Sequence, residues 1–242
     1  IAQRLEFLKF NGDLLVMTAV IMASCMLLTG ITFGLFSLIG VQIEYIFSKY
    51  IVVFGLPAVP MVATYIVYSN PQLVNKVSPI IAKLFTPVVL VTLIVYLAAI
   101  IFTGKDPYND RDFLMIFNVL LIGVMAIILF SVAENSKNEN GKTGNWMLFI
   151  LSVVTIVLNS IALSAIVFRI AEWGITPNRL AVLGSNVLIL IHLFIVAYSL
   201  FKILRNKNES TLVEQNIAAY LPVYVVWTIV VVFVFPMLFS FQ

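Results

Sequence analysis

Long apolar segments alternate with short polar segments along the whole chain. Seven of the apolar segments reach about 18 residues or more, the length at which an α-helix can cross the hydrocarbon core of a bilayer. The pattern predicts an all-α fold, a bundle of seven transmembrane helices that forms a single domain over residues 1–242. The predicted spans are Leu14–Leu38, Ile51–Tyr68, Ile81–Phe102, Phe113–Val132, Trp146–Phe168, Leu180–Phe201 and Ala218–Phe239.

Two segments near the N-terminus fall outside the predicted spans. Ile1–Asp13 mixes charged and apolar residues and contains the turn signal Asn11-Gly12. We expect a short interfacial helix there, or the end of a preceding element. Val41–Tyr50 carries one acidic and one basic residue among apolar ones, and it is predicted to be a short amphipathic connection.

Composition supports a lipid environment. Hydrophobic residues make up 62% of the chain and charged residues 10%, whereas a soluble domain carries about 25% charged residues. The mean hydropathy is +1.10, and the formal net charge of +3 is too small and too scattered for a nucleic-acid-binding surface. We expect the bilayer as the main partner, with anionic lipid headgroups, other segments of the same polypeptide or a second copy of the chain as further candidates.

Composition also limits the available chemistry. The one cysteine, Cys25, excludes an intrachain disulfide and a cysteine zinc cluster, and the one histidine, His192, cannot build a histidine metal site alone. The acidic segment Gly104–Asp112 lacks the regular spacing of an EF-hand and is predicted to be a solvated loop. No cofactor and no metal are expected. Because the chain begins at Ile1 and not at Met, we expect a piece of a longer protein or a processed one.

The densest group of charge and turn signals lies in the segment Arg169–Arg179, which joins the fifth and sixth spans. Gly174 can adopt the left-handed conformation that ends a helix. Thr176 followed by Pro177 can start one, because threonine caps a helix and proline suits its first position. The segment therefore predicts a tight hairpin, with one helix ending near Trp173 and the next beginning near Pro177.

The charges of this hairpin have two possible roles. Glu172 is predicted at a helix C-terminus and Arg179 at a helix N-terminus, where the helix dipoles disfavour them, but the two could neutralise each other. Arg169 lies about one helical turn before Glu172 and is a second partner. We expect a cluster of Arg169, Glu172 and Arg179 that clamps the hairpin. Alternatively, the two arginines and the glutamate together hold an anionic lipid headgroup or an anionic substrate.

Four polar residues are predicted inside the spans, where they are costly in lipid and tend to face the interior of a bundle. Asn118, Asn159 and Asn186 are expected to form interhelical hydrogen bonds worth about 1 kcal/mol each, or else to line a polar cavity. His192 is expected to form a similar bond; alternatively, it relays protons. Asn186 and His192 lie about 120° apart around their helix, so they do not share one narrow face.

Two prolines bear on the class of protein. Pro57 and Pro60 lie in the second span, where they can either kink the helix or break it to line the site of a carrier. We favour the kink.

We predict a non-enzymatic membrane module that senses or assembles, and we assign no catalytic residue. One alternative is a carrier or permease for a small solute, which requires a mid-membrane cavity. The other is a membrane enzyme acting on a lipid-linked anion, which requires an acid–base pair beside a cleft.

Seven crossings place the two ends of the chain on opposite sides of the membrane. Lysine and arginine are more numerous in the segments on the N-terminal side than in those on the opposite side. Because basic residues are enriched in cytoplasmic loops, this bias places the N-terminus in the cytoplasm and the Arg169–Arg179 hairpin outside.

The hairpin resembles a known motif. Its pattern Arg-Ile-x-x-aromatic-Gly-aliphatic-Thr-x-x-Arg, from Arg169 to Arg179, is similar to that of a bacterial polytopic membrane family catalogued as a domain of unknown function, DUF four-one-five-three. Trp173 stands where that family more often has tyrosine, and Ile81–Tyr96 is similar to the family's third helix. The resemblance implies a multi-helix protein of the bacterial inner membrane, and it implies no activity.

Overall fold

The computed structural model of the chain describes residues 2–69, 77–103, 111–135, 142–205 and 210–239. Seven helices in these residues are long and apolar enough to cross a membrane, and the same residues contain no β-strand. The predicted fold class, all-α with seven potential transmembrane helices, is confirmed. The predicted loop Gly104–Asp112 lies mostly outside the described residues.

The helices contain the predicted spans, apart from Phe239 at the end of the seventh, and extend most of them by a few residues. In chain order, α1 is Ala2–Leu38; α2 consists of Glu44–Ile46, the π-helical segment Phe47–Val52 and Val53–Ser69; α3 is Val77–Thr103; α4 is Arg111–Asn135; α5 is Lys142–Trp173; α6 is Pro177–Arg205; and α7 consists of Ser210–Ile229, the π-helical segment Val230–Val234 and Phe235–Leu238.

The N-terminal part of the chain is more helical than predicted. Helix α1 is continuous from Ala2, so the turn predicted at Asn11 does not form. Instead, Nδ2 of Asn11 donates a hydrogen bond to the carbonyl of Phe7, four residues earlier, at 2.8 Å. A bond of this kind keeps a turn-forming side chain inside a helix. The helix ends shortly before Gly40, whose φ of 73° lies in the left-handed region that glycine tolerates.

The connection predicted at Val41–Tyr50 is wrong for most of its length. The second span is helical from Glu44 onward. Phe47 packs edge to face against Phe33 with 4.9 Å between the ring centroids. This aromatic contact fixes the start of α2 on α1, so residues that look like a connection in the sequence become part of the helix.

Pro57 and Pro60 are accommodated inside α2. The segment Val53–Ser69 is helical throughout. The hydroxyl of Thr64 donates to the carbonyl of Pro60 at 2.7 Å. The helix is therefore not broken at the prolines, and the predicted kink stays a prediction.

The contacts within the chain form two compact units, Ile1–Ile81 and Ala82–Gln242. The first is built on the packing of α1 against α2. The second contains most of α3 and all of α4 to α7. The single-domain organisation predicted for residues 1–242 stays a prediction.

Within the second unit, α3 and α4 meet through aromatic and hydroxyl contacts. Tyr96 and Phe117 are fully buried with their ring centroids 5.7 Å apart, and Phe113 stacks on Phe117 at 4.2 Å. Thr86 and Ser131 share a buried hydrogen bond of 3.1 Å. The bond satisfies two hydroxyl groups that would otherwise be costly in an apolar interior.

Helices α5 and α6 form a helical hairpin, α4 packs against both, and α7 packs mainly against α6. A small apolar cluster of Leu114, Ala165 and Ile166 lies where α4 meets the hairpin. Partly buried Val182 and Leu183 of α6 pack against this cluster. These contacts position the first turns of α4 beside the turn that joins α5 to α6.

Candidate functional site

The turn between α5 and α6 has the geometry that its sequence predicts. Gly174 has a φ of 77°, and its N–H donates to the carbonyl of Ile170 at 2.9 Å. This bond is the αL motif that closes a helix C-terminus. Thr176 Oγ1 accepts a hydrogen bond from the N–H of Arg179 at 3.3 Å, and Pro177 is the first residue of α6. The predicted helix end, N-cap and proline start are confirmed.

The side chain of Arg179 reaches back from α6 to the end of α5. Its Nη1 donates to the carbonyls of Trp173 and Gly174 at 2.9 and 2.7 Å. The last turn of a helix leaves such carbonyls without a helical partner. The guanidinium group therefore lies at the negative end of the α5 dipole, where a cation is stabilised. An arginine that is unfavourable for α6 is thus favourable for α5.

Trp173 brings the two arginines together. The Cζ atom of Arg169 lies 5.4 Å from the centre of the Trp173 ring, and that of Arg179 lies 5.7 Å from it. Both distances are in the range of a cation–π interaction, which contributes about 0.5–1 kcal/mol at exposed sites. Phe168 packs edge to face against the same ring at 6.5 Å. Two guanidinium groups from different helices are therefore gathered on one indole.

Glu172 lies in the last turn of α5. Its side chain is exposed, and the carbonyls at the end of α5, not a carboxylate, accept the hydrogen bonds of Arg179. Glu172 is also not among the described residues that line the adjoining cavity. A clamp in which Glu172 pairs with either guanidinium group stays a prediction.

A cavity of about 560 Å³ opens beside the two arginines. Pockets for small molecules and cofactors have volumes of about 300–1,000 Å³, so this cavity is large enough for such a ligand. It lies between α4, α5 and α6, and the apolar residues of α4 form one wall. The polar residues of its lining are Asn118, Arg169, Thr176, Asn178 and Arg179.

The described lining of this arginine cavity contains two cationic groups and no acidic residue. Oδ1 of Asn118 is buried and has no hydrogen-bond partner in the described part of the chain. Turning the amide exchanges its oxygen and its NH₂ group, so Asn118 can also present donors. Guanidinium, amide and hydroxyl groups together are the set that recognises phosphate and carboxylate.

The structure brings some of the sequence-predicted residues together and separates others. Arg169, Arg179 and Asn118 line the same cavity, as one of the two roles considered for them requires. Asn178 was missed, because an isolated polar residue after a helix start carries no signal of its own. The role of Trp173 could have been found from its spacing, since it lies four residues after Arg169 and therefore on the same helix face.

The remaining polar candidates lie between α5, α6 and α7, and none of them lines the arginine cavity. Nδ2 of Asn159 donates to the backbone carbonyl of Asn186 at 3.0 Å, and Nδ1 of His192 lies 3.0 Å from the Tyr224 hydroxyl. The predicted interhelical bonds of Asn159 and His192 are confirmed, and the proton-relay role of His192 stays a prediction. Tyr220 also packs on the His192 ring, with 4.6 Å between centroids.

Three polar atoms of the same buried layer have no hydrogen-bond partner among the described residues. Oδ1 of Asn159, Nδ2 of Asn186 and Nε2 of His192 make no hydrogen bond to the described residues. All three side chains are almost completely buried. Among the described residues, the side chain of Asn186 does not form the predicted interhelical bond. The backbone carbonyl of Asn186 makes the contact with Asn159 instead.

Trp227 of α7 packs directly over Gly184 of α6. The Nε1 of Trp227 donates to Oγ of Ser185 at 3.0 Å. A methyl group at Gly184 would overlap the six-membered part of the indole ring. Small residues allow helices in membranes to approach this closely, and here the close approach is what lets the indole reach Ser185.

The seven apolar helices indicate an integral membrane protein with several membrane crossings, and its second unit carries an arginine-lined cavity beside a helical hairpin. In the described ranges, no three His, Cys, Asp or Glu side chains are grouped so that they could hold a metal ion. No family model, no curated protein and no solved structure matches the chain. The family resemblance of the hairpin stays a prediction.

Proposed function

We propose that this protein is a non-enzymatic membrane module that recognises an anion in the arginine cavity and uses that recognition for sensing or assembly. The observation that carries the proposal is the pair of guanidinium groups gathered on Trp173, beside a cavity whose described lining has no acidic residue. A concave site with one sign of charge concentrates ligands of the opposite sign. The ligand chemistry is a phosphate or a carboxylate, on a lipid headgroup or on a free anion.

Arg179 is held in position before any anion binds. Its Nη1 is fixed by the two carbonyls at the end of α5. Among the described residues, Nη1 is the atom through which this side chain makes its hydrogen bonds, which leaves Nε and Nη2 for a ligand. Because the planar fork is already oriented, less conformational entropy is lost when an anion binds.

The cavity favours binding over reaction or transport. A reaction on a lipid-linked anion requires an acid–base pair beside the reacting group, and Glu172 is exposed and does not line the cavity. A carrier would place its broken helix and its buried asparagines along a mid-membrane cavity. Within the unit that contains this cavity, Asn159 and Asn186 do not belong to its described lining.

Anion binding is measured with the purified full chain in detergent. Inorganic phosphate, glycerol 3-phosphate and phosphatidylglycerol are added separately, and the shift in thermal unfolding gives an apparent affinity. Arg169→Gln and Arg179→Gln are expected to weaken binding about tenfold or more, because a hydrogen bond to a charged group contributes about 1.5–3 kcal/mol. Arg205→Gln, an exposed arginine at the other end of α6, is the matched control.

The same experiment can refute the proposed function and can distinguish a soluble anion from a lipid headgroup. If no anion stabilises the wild type, or if the two cavity variants respond as Arg205→Gln does, the proposed function is refuted. A response to phosphate and glycerol 3-phosphate without phosphatidylglycerol assigns the cavity to soluble anions. A stronger response to phosphatidylglycerol assigns it to a lipid headgroup.

We further propose that the hairpin lies on the outer side of a bacterial inner membrane, with the N-terminus in the cytoplasm. The distribution of lysine and arginine and the resemblance of the hairpin support this orientation. Because Cys25 is the one cysteine, Cys25→Ser gives a background without thiols. In that background, a membrane-impermeant maleimide should label Asn178→Cys in intact cells, but it should label Arg205→Cys only after the cells are lysed. The reverse result would overturn the orientation.

A further inference from the structure

We propose that the anion in the arginine cavity is the headgroup of a membrane lipid whose acyl chain lies along α4. This inference rests on the proposed function, because the headgroup is held by Arg169 and Arg179. The chain lies on three apolar residues of α4, Met115, Val119 and Ile122, which we call the acyl stripe. An anionic glycerophospholipid has the chemistry that fits both parts.

The acyl stripe is one continuous face of α4. Met115, Val119 and Ile122 follow each other at spacings of four and three residues, which places them above one another on a helix. Their side chains are 59%, 51% and 62% exposed, and all three line the arginine cavity. Along the helix axis the stripe covers about 10 Å, at a rise of about 1.5 Å per residue.

The stripe leads from the cavity into the part of the chain that faces hydrocarbon. The candidate membrane span of α4 is Phe113–Val132. Met115 lies at the start of this span and Ile122 near its middle. If Phe113–Val132 crosses a membrane, as its length and hydropathy indicate, this exposed wall of the cavity faces lipid. A soluble anion would fill only the polar end of this cavity, whereas the acyl chain of a bound lipid would also fill its apolar end.

The remaining apolar residues of the lining belong to the packed core of this unit. Leu114 and Ile166 are 9% and 2% exposed and belong to the cluster that joins α4 to the hairpin. Val182 of α6 packs against the same cluster and also lines the cavity. The site thus has a cationic end and an apolar end, and the two positive charges favour an anionic headgroup over a zwitterionic one.

The proposal is tested by lipid binding to the full chain in detergent, measured by native mass spectrometry. Phosphatidylglycerol, phosphatidylcholine and glycerol 3-phosphate are the probes. Val119→Trp fills the acyl stripe and is expected to weaken phosphatidylglycerol binding about fivefold or more, while glycerol 3-phosphate binds as before. Val157→Trp is the matched control, since Val157 of α5 is 46% exposed and does not line the cavity.

Each outcome decides one of the two proposals. Selective loss of phosphatidylglycerol in Val119→Trp, with Val157→Trp unchanged, supports the lipid site. Three results overturn the lipid site and leave the anion site standing. The first is equal phosphatidylglycerol binding by Val119→Trp and Val157→Trp. The others are that the wild type binds phosphatidylcholine as tightly as phosphatidylglycerol, or that it binds glycerol 3-phosphate as tightly as phosphatidylglycerol. If Arg179→Gln binds every probe as the wild type does, the anion site itself fails. Ile122→Trp repeats the test if Val119→Trp does not fold.

Discussion

Gly184→Ala tests the tightest contact between α6 and α7. The added methyl group would overlap the six-membered part of the Trp227 ring. The overlapped atoms belong to a rigid ring, so the indole must move as a whole. Its movement would break the hydrogen bond from Nε1 to Ser185, which is 3.0 Å long.

The expected loss of stability follows from three contributions. Overpacking a filled contact costs about 1–3 kcal/mol, and an interhelical hydrogen bond in a membrane is worth about 0.6 kcal/mol on average. Alanine in a helix is more favourable than glycine by about 0.8–1 kcal/mol, which offsets part of the loss. We therefore expect Gly184→Ala to lower the free energy of unfolding by about 0.6–2.8 kcal/mol.

Gly123→Ala in α4 is the matched control, because a methyl group there would meet nothing within 4 Å. In this control only the difference in helix propensity between glycine and alanine affects stability. The free energy of unfolding should therefore stay the same or rise by up to about 1 kcal/mol. Both variants are measured by unfolding in mixed micelles with increasing sodium dodecyl sulfate. Equal stability of Gly184→Ala and Gly123→Ala would refute the packing, and Trp227→Phe in the Gly184→Ala background should recover part of the loss.

Three further substitutions address the hairpin and the buried layer. Arg179→Gln should lower the thermal unfolding midpoint relative to Arg205→Gln, because hydrogen bonds from a charged donor worth about 1–3 kcal/mol at an exposed turn are lost; equal midpoints would contradict this. Asn159→Ala should cost about 1 kcal/mol in the detergent titration, whereas Ser160→Ala, which removes a bond within its own helix, should cost less. Glu172→Gln should leave stability unchanged and tighten phosphate binding, since a nearby negative charge is removed; destabilisation without tighter binding would support the clamp.

The seven spans are predictable because length and hydropathy are local properties of the chain. In lipid, a segment must satisfy its own backbone hydrogen bonds, so a long apolar run has few structures open to it besides a helix. The N-terminal boundaries are less predictable. Asn11 is a turn former whose side chain is satisfied inside the helix, and the start of α2 depends on the contact of Phe47 with Phe33, which no local pattern encodes.

The site is predictable where neighbouring residues build it. Gly174 and Thr176 define the turn by their own conformational preferences, and the arginines at its two ends are evident from charge alone. The position of Asn118 in the lining of the arginine cavity is less predictable, because it depends on the register in which α4 packs against the hairpin. The approach of Trp227 to Gly184 has the same origin, since the two residues lie on different helices and neither has a sequence signal for the other.

The distance between the two arginines bears on what the cavity holds. Because their Cζ atoms lie 5.4 and 5.7 Å from one ring centre, they are no more than about 11 Å apart. Two unit charges at that distance repel each other by about 0.4 kcal/mol in water and about 1.5 kcal/mol at an effective dielectric constant of 20. An anion bound to both guanidinium groups, as proposed, would add an attraction to each of them. Under the proposed function, binding of the anion and closure of the hairpin should therefore stabilise each other, and binding would raise the stability of the α5–α6 turn.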